Sequence, residues 1–133
     1  MHNVTRDALV SRLSDYGRVV EIGIGRRTGV ARALAAAGLS VVATDVCERS
    51  VPPGVRSVVV DDITDPDRSV YAEADALYAR NLPPELQRPA LSLARDVGAP
   101  LLFTTLGADP AVVPASREPI PRGTLYVGDP QRV

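Results

Sequence analysis

The chain has 133 residues, 45% of them apolar and 23% charged, with a formal net charge of −1. That length is one domain's worth, enough to bury roughly two thirds of the unfolded surface without covalent staples. The near-neutral balance gives no global case for nucleic acid or an anionic membrane. All fifteen basic residues are Arg, so Schiff-base and lysine general-base chemistry are excluded.

In chain order, the spacing predicts a helix over Thr5–Tyr16, with Leu9, Leu13 and Tyr16 on one face, Thr5 as its cap and Gly17 past its end. Arg18–Ile22 reads as a short buried strand. Thr28–Ala37 reads as a helix whose small residues let it lie close on a sheet, ended by Gly38. Ser40–Thr44 is a second buried strand. The link Val46–Arg56 contains Pro52-Pro53-Gly54 and, at about eleven residues, is too short for a crossover helix.

Ser57–Val60 reads as a third strand, Asp65–Tyr71 as a brief helix and Asp75–Ala79 as a fourth strand. A helix follows to Val97, its start moved from Pro84 toward Leu86 because Pro89 would remove an internal hydrogen bond. Pro100–Leu106 is a fifth strand. Gly107–Arg122 holds four prolines and reads as loop, and Gly123–Val127 as a last edge strand. Most strands are continuously apolar, as in a parallel sheet covered on both faces. The expectation is therefore a single minimal α/β domain over 1–133. It is a three-layer Rossmann-like sandwich, mainly parallel, with five to six strands in the order 3-2-1-4-5. Within it, residues 1–17 form the N-terminal helix, 18–106 the ligand-binding core and 107–133 a proline-rich segment.

Ligands in such sheets bind beyond the carboxyl ends of the strands, where the order reverses. There the chain reads Glu21-Ile22-Gly23-Ile24-Gly25-Arg26-Arg27-Thr28-Gly29. Gly23 permits a sharp turn, Gly25 lets a ligand approach the backbone, and Gly29 permits close helix–strand packing. Asp45 lies about twenty residues after Gly25, at the end of the next strand, a spacing that suits a carboxylate holding ribose hydroxyls. The pattern points to an adenosine-containing ligand. The bland alternative is a glycine turn kept for packing, with Asp45 as a solvated strand end.

Glu21-Ile22-Gly23-Ile24-Gly25 resembles motif I of the Rossmann-like (class I) S-adenosylmethionine-dependent methyltransferases. The resemblance implies Glu21 near the methionine end of the ligand, Asp45 on the ribose, and Asp61 or Asp62 facing the adenine amino group. Size and the helix-opening Pro83-Pro84 also resemble a group of small archaeal proteins with a methyltransferase-like core. Two features depart from the methyltransferase pattern. Arg27 stands where a third glycine is common. Arg26 and Arg27 would suit phosphate contacts, as in NAD(P), a phosphorylated substrate or RNA, although both could equally point into water.

After the fourth strand, Arg80-Asn81-Leu82-Pro83-Pro84 resembles the Asn/Asp-Pro-Pro-aromatic motif of amino-methyltransferases, with Leu82 inserted and no aromatic after Pro84. Asn81 and Arg80 are accordingly weak candidates for substrate contact. Asn81 reads equally as a turn residue, and Arg80 could pair with Asp61, Asp62 or a ligand. Cys47 lines the adenine pocket or fills space. His2 sits in a terminus and has no nucleophile beside it. No metal site is expected, and Asp61, Asp62, Asp65 and Asp67 read as a solvated acidic loop. Asn3-Val4-Thr5 matches a glycosylation acceptor, read as chance.

The reading is a small S-adenosylmethionine-binding, methyltransferase-like protein, cytoplasmic and without a membrane segment. Its cleft is to be completed by residues 107–133, a homodimer or a protein partner. One alternative is a non-catalytic nucleotide-binding sensor. The other is an NAD(P)-binding module, for which Tyr71, Tyr78 or Tyr126 would be the proton donor.

Overall fold

Continuous apolar runs become the centre of the sheet. The computed structural model describes residues 4–129, so His2 and Asn3 lie outside the described residues. The elements are α1 (Val4–Leu13), β1 (Arg18–Ile22), α2 (Gly29–Ala36), β2 (Ser40–Asp45), β3 (Ser57–Val60), a 3-10 turn (Arg68–Val70), β4 (Ala76–Ala79), α3 (Pro84–Val97), β5 (Leu101–Phe103), β6 (Ser116–Ile120) and β7 (Gly123–Gly128). The sheet order is β3-β2-β1-β4-β5-β7-β6. Its first five strands are parallel and in the expected order, and β7 and β6 add an antiparallel hairpin.

Alternation along β1 sorts the two cores. Val19 faces Leu9 and Leu13 of α1 and Val30, Ala31 and Leu34 of α2. Val20 and Ile22 face Ala90, Leu91, Leu93 and Ala94 of α3. Burying both faces of one sheet removes most of its apolar surface from water, at about 25 cal/mol per Å².

Several local expectations are corrected. Residues 107–122 are not all loop: Ser116–Ile120 forms β6, the true edge strand, and Gly123–Gly128 lies inside it against β5. An edge strand tolerates Pro119 because a missing N–H can face away from the ladder. Helix α3 begins at Pro84, not near Leu86, and carries Pro89 within it. The bond Pro89 cannot make would go to the carbonyl of Glu85, an exposed residue that water can serve.

Thr5 is no cap: it lies inside α1 and its hydroxyl donates to the Pro121 carbonyl at 3.2 Å. Gly29 serves helix–helix packing, since a Cβ there would lie 3.1 Å from Arg6 Cδ of α1. The hairpin is fastened to α1 by a two-pronged contact in which Arg12 Nε and Nη2 meet the Glu118 carboxylate at 2.8 and 3.2 Å.

Candidate functional site

The carboxyl ends of β1 and β2 close on each other through one acid. Asp45 Oδ2 accepts the Gly25 N–H at 2.7 Å across twenty residues, and its Oδ1 accepts the Cys47 N–H at 3.0 Å. Burial alone would push this carboxyl up. The two amides and the nearby Arg49 outweigh that and hold it below its ordinary value. Gly23 and Gly25 both take left-handed backbone, φ +68° and +56°, and nothing lies within 4 Å of where a Cβ would stand. The turn is thus bare of side chains over two residues, with an ionised acid at its edge. Val46 (67% exposed) follows Asp45, and Val60 (57% exposed) pairs with Asp45 across β3.

Behind the turn, Glu21 is cross-strand neighbour to Tyr78 and only 1% exposed. The Tyr78 hydroxyl donates to Glu21 Oε1 at 2.6 Å. Burial pushes Glu21 up to about 7, against the opposing influence of that bond and of the Arg80 charge. Burial and the neighbouring acid likewise drive the Tyr78 phenol well above its ordinary value.

The other expected residues divide. Asp61 is held in place: its Oδ2 accepts the Tyr71 hydroxyl at 2.5 Å and its Oδ1 accepts the Asp67 N–H at 3.0 Å. Asp62 is exposed and caps its own turn through the Thr64 amide and hydroxyl, so the two acids do not share one task. Asp67 does the same for Ser69. Arg26 and Arg27 are exposed, and neither forms an ion pair among the described residues. Arg80 pairs with neither Asp61 nor Asp62; its charge acts on Glu21 and Tyr78 instead. Cys47 is exposed, so it is not a core filler. Asn81 is exposed with φ 52°, and its N–H donates to Thr104 Oγ1 at 3.0 Å.

Beyond β4 and β5, under the β6–β7 turn, lies a cavity of about 660 Å³ lined by Asn81, Thr104, Asp109, Arg117, Arg122 and Tyr126 among others. Gln87, fully buried outside that lining, joins the segments next to Asn81 and Pro110, which do line it. Gln87 Nε2 donates to the Leu82 carbonyl at 3.2 Å, and its Oε1 accepts the Val112 N–H at 2.8 Å. Sequence reasoning missed Gln87, Arg117 and Arg122. The signal for Gln87 was its place on the apolar stripe of α3; the two arginines carry no local pattern at all.

An order of β3-β2-β1-β4-β5-β7-β6, with a glycine turn after β1 and an acid ending β2, is the Rossmann-like fold of the class I methyltransferases. The whole chain superposes on an RNA methyltransferase from Salinibacter ruber in complex with S-adenosyl-L-homocysteine, with a TM-score of 0.65 and 15% identity, covering 100% of this chain and 95% of that one. It also matches magnesium protoporphyrin IX methyltransferase from Synechocystis PCC 6803 with bound S-adenosylmethionine, with a TM-score of 0.60 and 13% identity, covering 92% and 76%. At such identities the likeness is one of fold. The chain belongs to the uncharacterised protein family UPF0146, whose pattern spans residues 4–127. A UPF0146 protein of Halobacterium salinarum is 52% identical over 116 residues, covering 86% of this chain and 89% of that relative. Among the described residues no helix is long and apolar enough to cross a membrane.

Proposed function

We propose that the chain binds S-adenosylmethionine beyond the carboxyl ends of β1 and β2 and transfers its methyl group to an acceptor. The observation that carries this reading is the side-chain-free turn of Gly23 and Gly25, closed by the ionised Asp45. Such a cradle fits a ligand that approaches backbone on one side and offers hydroxyls on the other. Asp45 spends one lone pair on each of two amides and keeps the rest for ribose hydroxyls. Val46 and Val60 offer apolar edges to a purine, and Asp61, fixed by Tyr71, is the better placed of the two acids to meet its amino group.

When bound, S-adenosylmethionine supplies an electrophilic methyl carbon together with its leaving group. The chain then needs only to align the acceptor and exclude water, so the lack of a dedicated acid or base is no obstacle. A dinucleotide phosphate is the second reading. Arg49 approaches Asp45 Oδ1 at 3.5 Å, and its buried Nε has no hydrogen-bond partner, an arrangement that suits a 2′-phosphate beside the ribose.

Calorimetric titration with S-adenosylmethionine, S-adenosylhomocysteine, NAD and NADP separates these readings. Micromolar binding of the first two is expected. Asp45→Asn and Asp45→Ala should weaken it roughly 10–100-fold, the worth of hydrogen bonds to a charged acceptor. Tighter binding of NADP would transfer the site to a dinucleotide, and binding of none would leave the turn as architecture.

A further inference from the structure

The cavity under the β6–β7 turn has features that the S-adenosylmethionine reading does not use. Among the described residues only two non-glycine positions take left-handed backbone, Asn81 (φ 52°) and Arg122 (φ 67°), and both line this cavity. Ile120 and Gly123 pair directly, so Pro121 and Arg122 form the two-residue turn. Its second position calls for glycine or asparagine, yet it holds an arginine. Asparagine takes this backbone readily and arginine seldom does, and such strained positions cluster at functional sites.

The charge at this cavity is lopsided. Arg117 and Arg122 line it against one acid, Asp109, and neither arginine forms an ion pair among the described residues. Arg117 lies over the Tyr126 ring, its Cζ 5.9 Å from the centroid, and Tyr126 is in turn stacked on Phe103 at 5.4 Å. The guanidinium is therefore positioned without being neutralised. Thr104 Oγ1 accepts the Asn81 N–H, which leaves its own hydroxyl proton to donate. Two guanidiniums and a hydroxyl donor match a dianion with several acceptor oxygens.

We propose that this cavity recognises the phosphate monoester of a small molecule, through Arg117 and Arg122 with Thr104 as a neutral donor. As the acceptor side of the active site it rests on the methyltransferase reading above; as a phosphate site it does not. A volume of about 660 Å³ is that of a small-molecule pocket. A chain of net charge −1 and isoelectric point near 5.8 offers no long basic track for a phosphodiester backbone. The observations therefore favour the monoester over a nucleic acid.

Titration of the full chain with ribose 5-phosphate, with ribose as control and inorganic phosphate as competitor, tests the site by calorimetry. Saturable binding of ribose 5-phosphate, displaced by phosphate and not shared by ribose, is expected. Arg117→Gln and Arg122→Gly should each weaken it about tenfold or more. Glycine relieves the left-handed backbone at position 122, so the melting temperature of that variant should hold or rise, and its lost binding cannot be blamed on unfolding. Equal affinity for ribose, indifference to inorganic phosphate, or unchanged binding in both variants would overturn the proposal. So would binding of a short single-stranded RNA with an affinity that grows with its length while the monoester fails.

Repeating the series in Asp45→Ala keeps the two readings apart. Phosphate binding that survives without any S-adenosylmethionine binding in the parent chain leaves the cavity site standing and removes its acceptor role. S-adenosylmethionine binding with no phosphate effect removes the cavity site alone.

Discussion

On the β3-β2-β1 side of the crevice the acids are already engaged by the fold. Asp45 takes the amides of Gly25 and Cys47, Asp61 takes the Tyr71 hydroxyl and the Asp67 amide, and Glu21 takes the Tyr78 hydroxyl. On the β4-β5-β7 side two arginines without ion pairs among the described residues stand against one acid, Asp109. Arg117 and Arg122 line an open cavity, and the backbone beside it is twisted into left-handed turns. On the first side an acid is fixed by the turn beside it. The second departs from the resemblance that the glycine motif carries, because Leu82 interrupts the motif after β4 and the hairpin brings arginines to the cavity. Engaged acids and unpaired arginines therefore flank the same crevice from opposite sides of one sheet.

The largest expected effect that sharpens this contrast belongs to Glu21. Its folded-state value near 7 lies above the ordinary 4.5, so between those values the folded chain holds a proton that the unfolded chain has lost. Stability is then full below about pH 4.5 and falls as pH rises through about 7, by about 3 kcal/mol. Denaturant titrations at pH 5 and pH 8 should show this fall in the parent chain and not in Glu21→Gln, which keeps an acceptor for Tyr78. Parallel slopes in the two chains would break the account of Glu21 as a buried, strained acid.

A smaller loss is expected at Gln87. Gln87→Met keeps the volume but strands the Leu82 carbonyl and the Val112 amide, which costs about 2 kcal/mol. If Gln87 organises the cavity walls, this variant should also weaken ribose 5-phosphate binding while leaving the Asp45 side untouched. Weakened binding of S-adenosylmethionine to the same degree would mean that the two sides are not independent.

The smallest effect is expected where the hairpin meets α1. Arg12→Ala removes a partly exposed two-pronged contact to Glu118, worth about 1 kcal/mol or less and less again in high salt. A thermal melt at low and high salt measures it. A much larger loss would mean that the hairpin depends on α1 for its place in the sheet.

Legibility from sequence followed the same division. The run from Val19 to Asp45 could be read because each of its signals is local: apolar stretches, a glycine turn, and an acid at a fixed distance. Residues 107–122 could not, because four prolines mask a strand that exists only through its partner. Proline content argues against a central strand and says little about an edge. The start of α3 is hidden for a related reason: Pro89 costs one hydrogen bond, and packing of Ala90, Leu91, Leu93 and Ala94 against the sheet outweighs it. Gly29 packs on α1 and not on the strand that its own segment suggests, because which element lies over a glycine is not written in that segment.

The sequence by itself determined the parallel order of the first five strands, the turn after β1 and the distance from Gly25 to Asp45. These follow from hydrophobic periodicity, the handedness of crossovers and the freedom of glycine, all of which act over short spans. Only the tertiary structure decided that Asp45 accepts the Gly25 amide, that Glu21 is sealed beneath Tyr78, and that Arg117 and Arg122 meet Asn81 around one cavity. These contacts join residues far apart in the chain, and they form because the sheet aligns strand ends whose backbones are already committed.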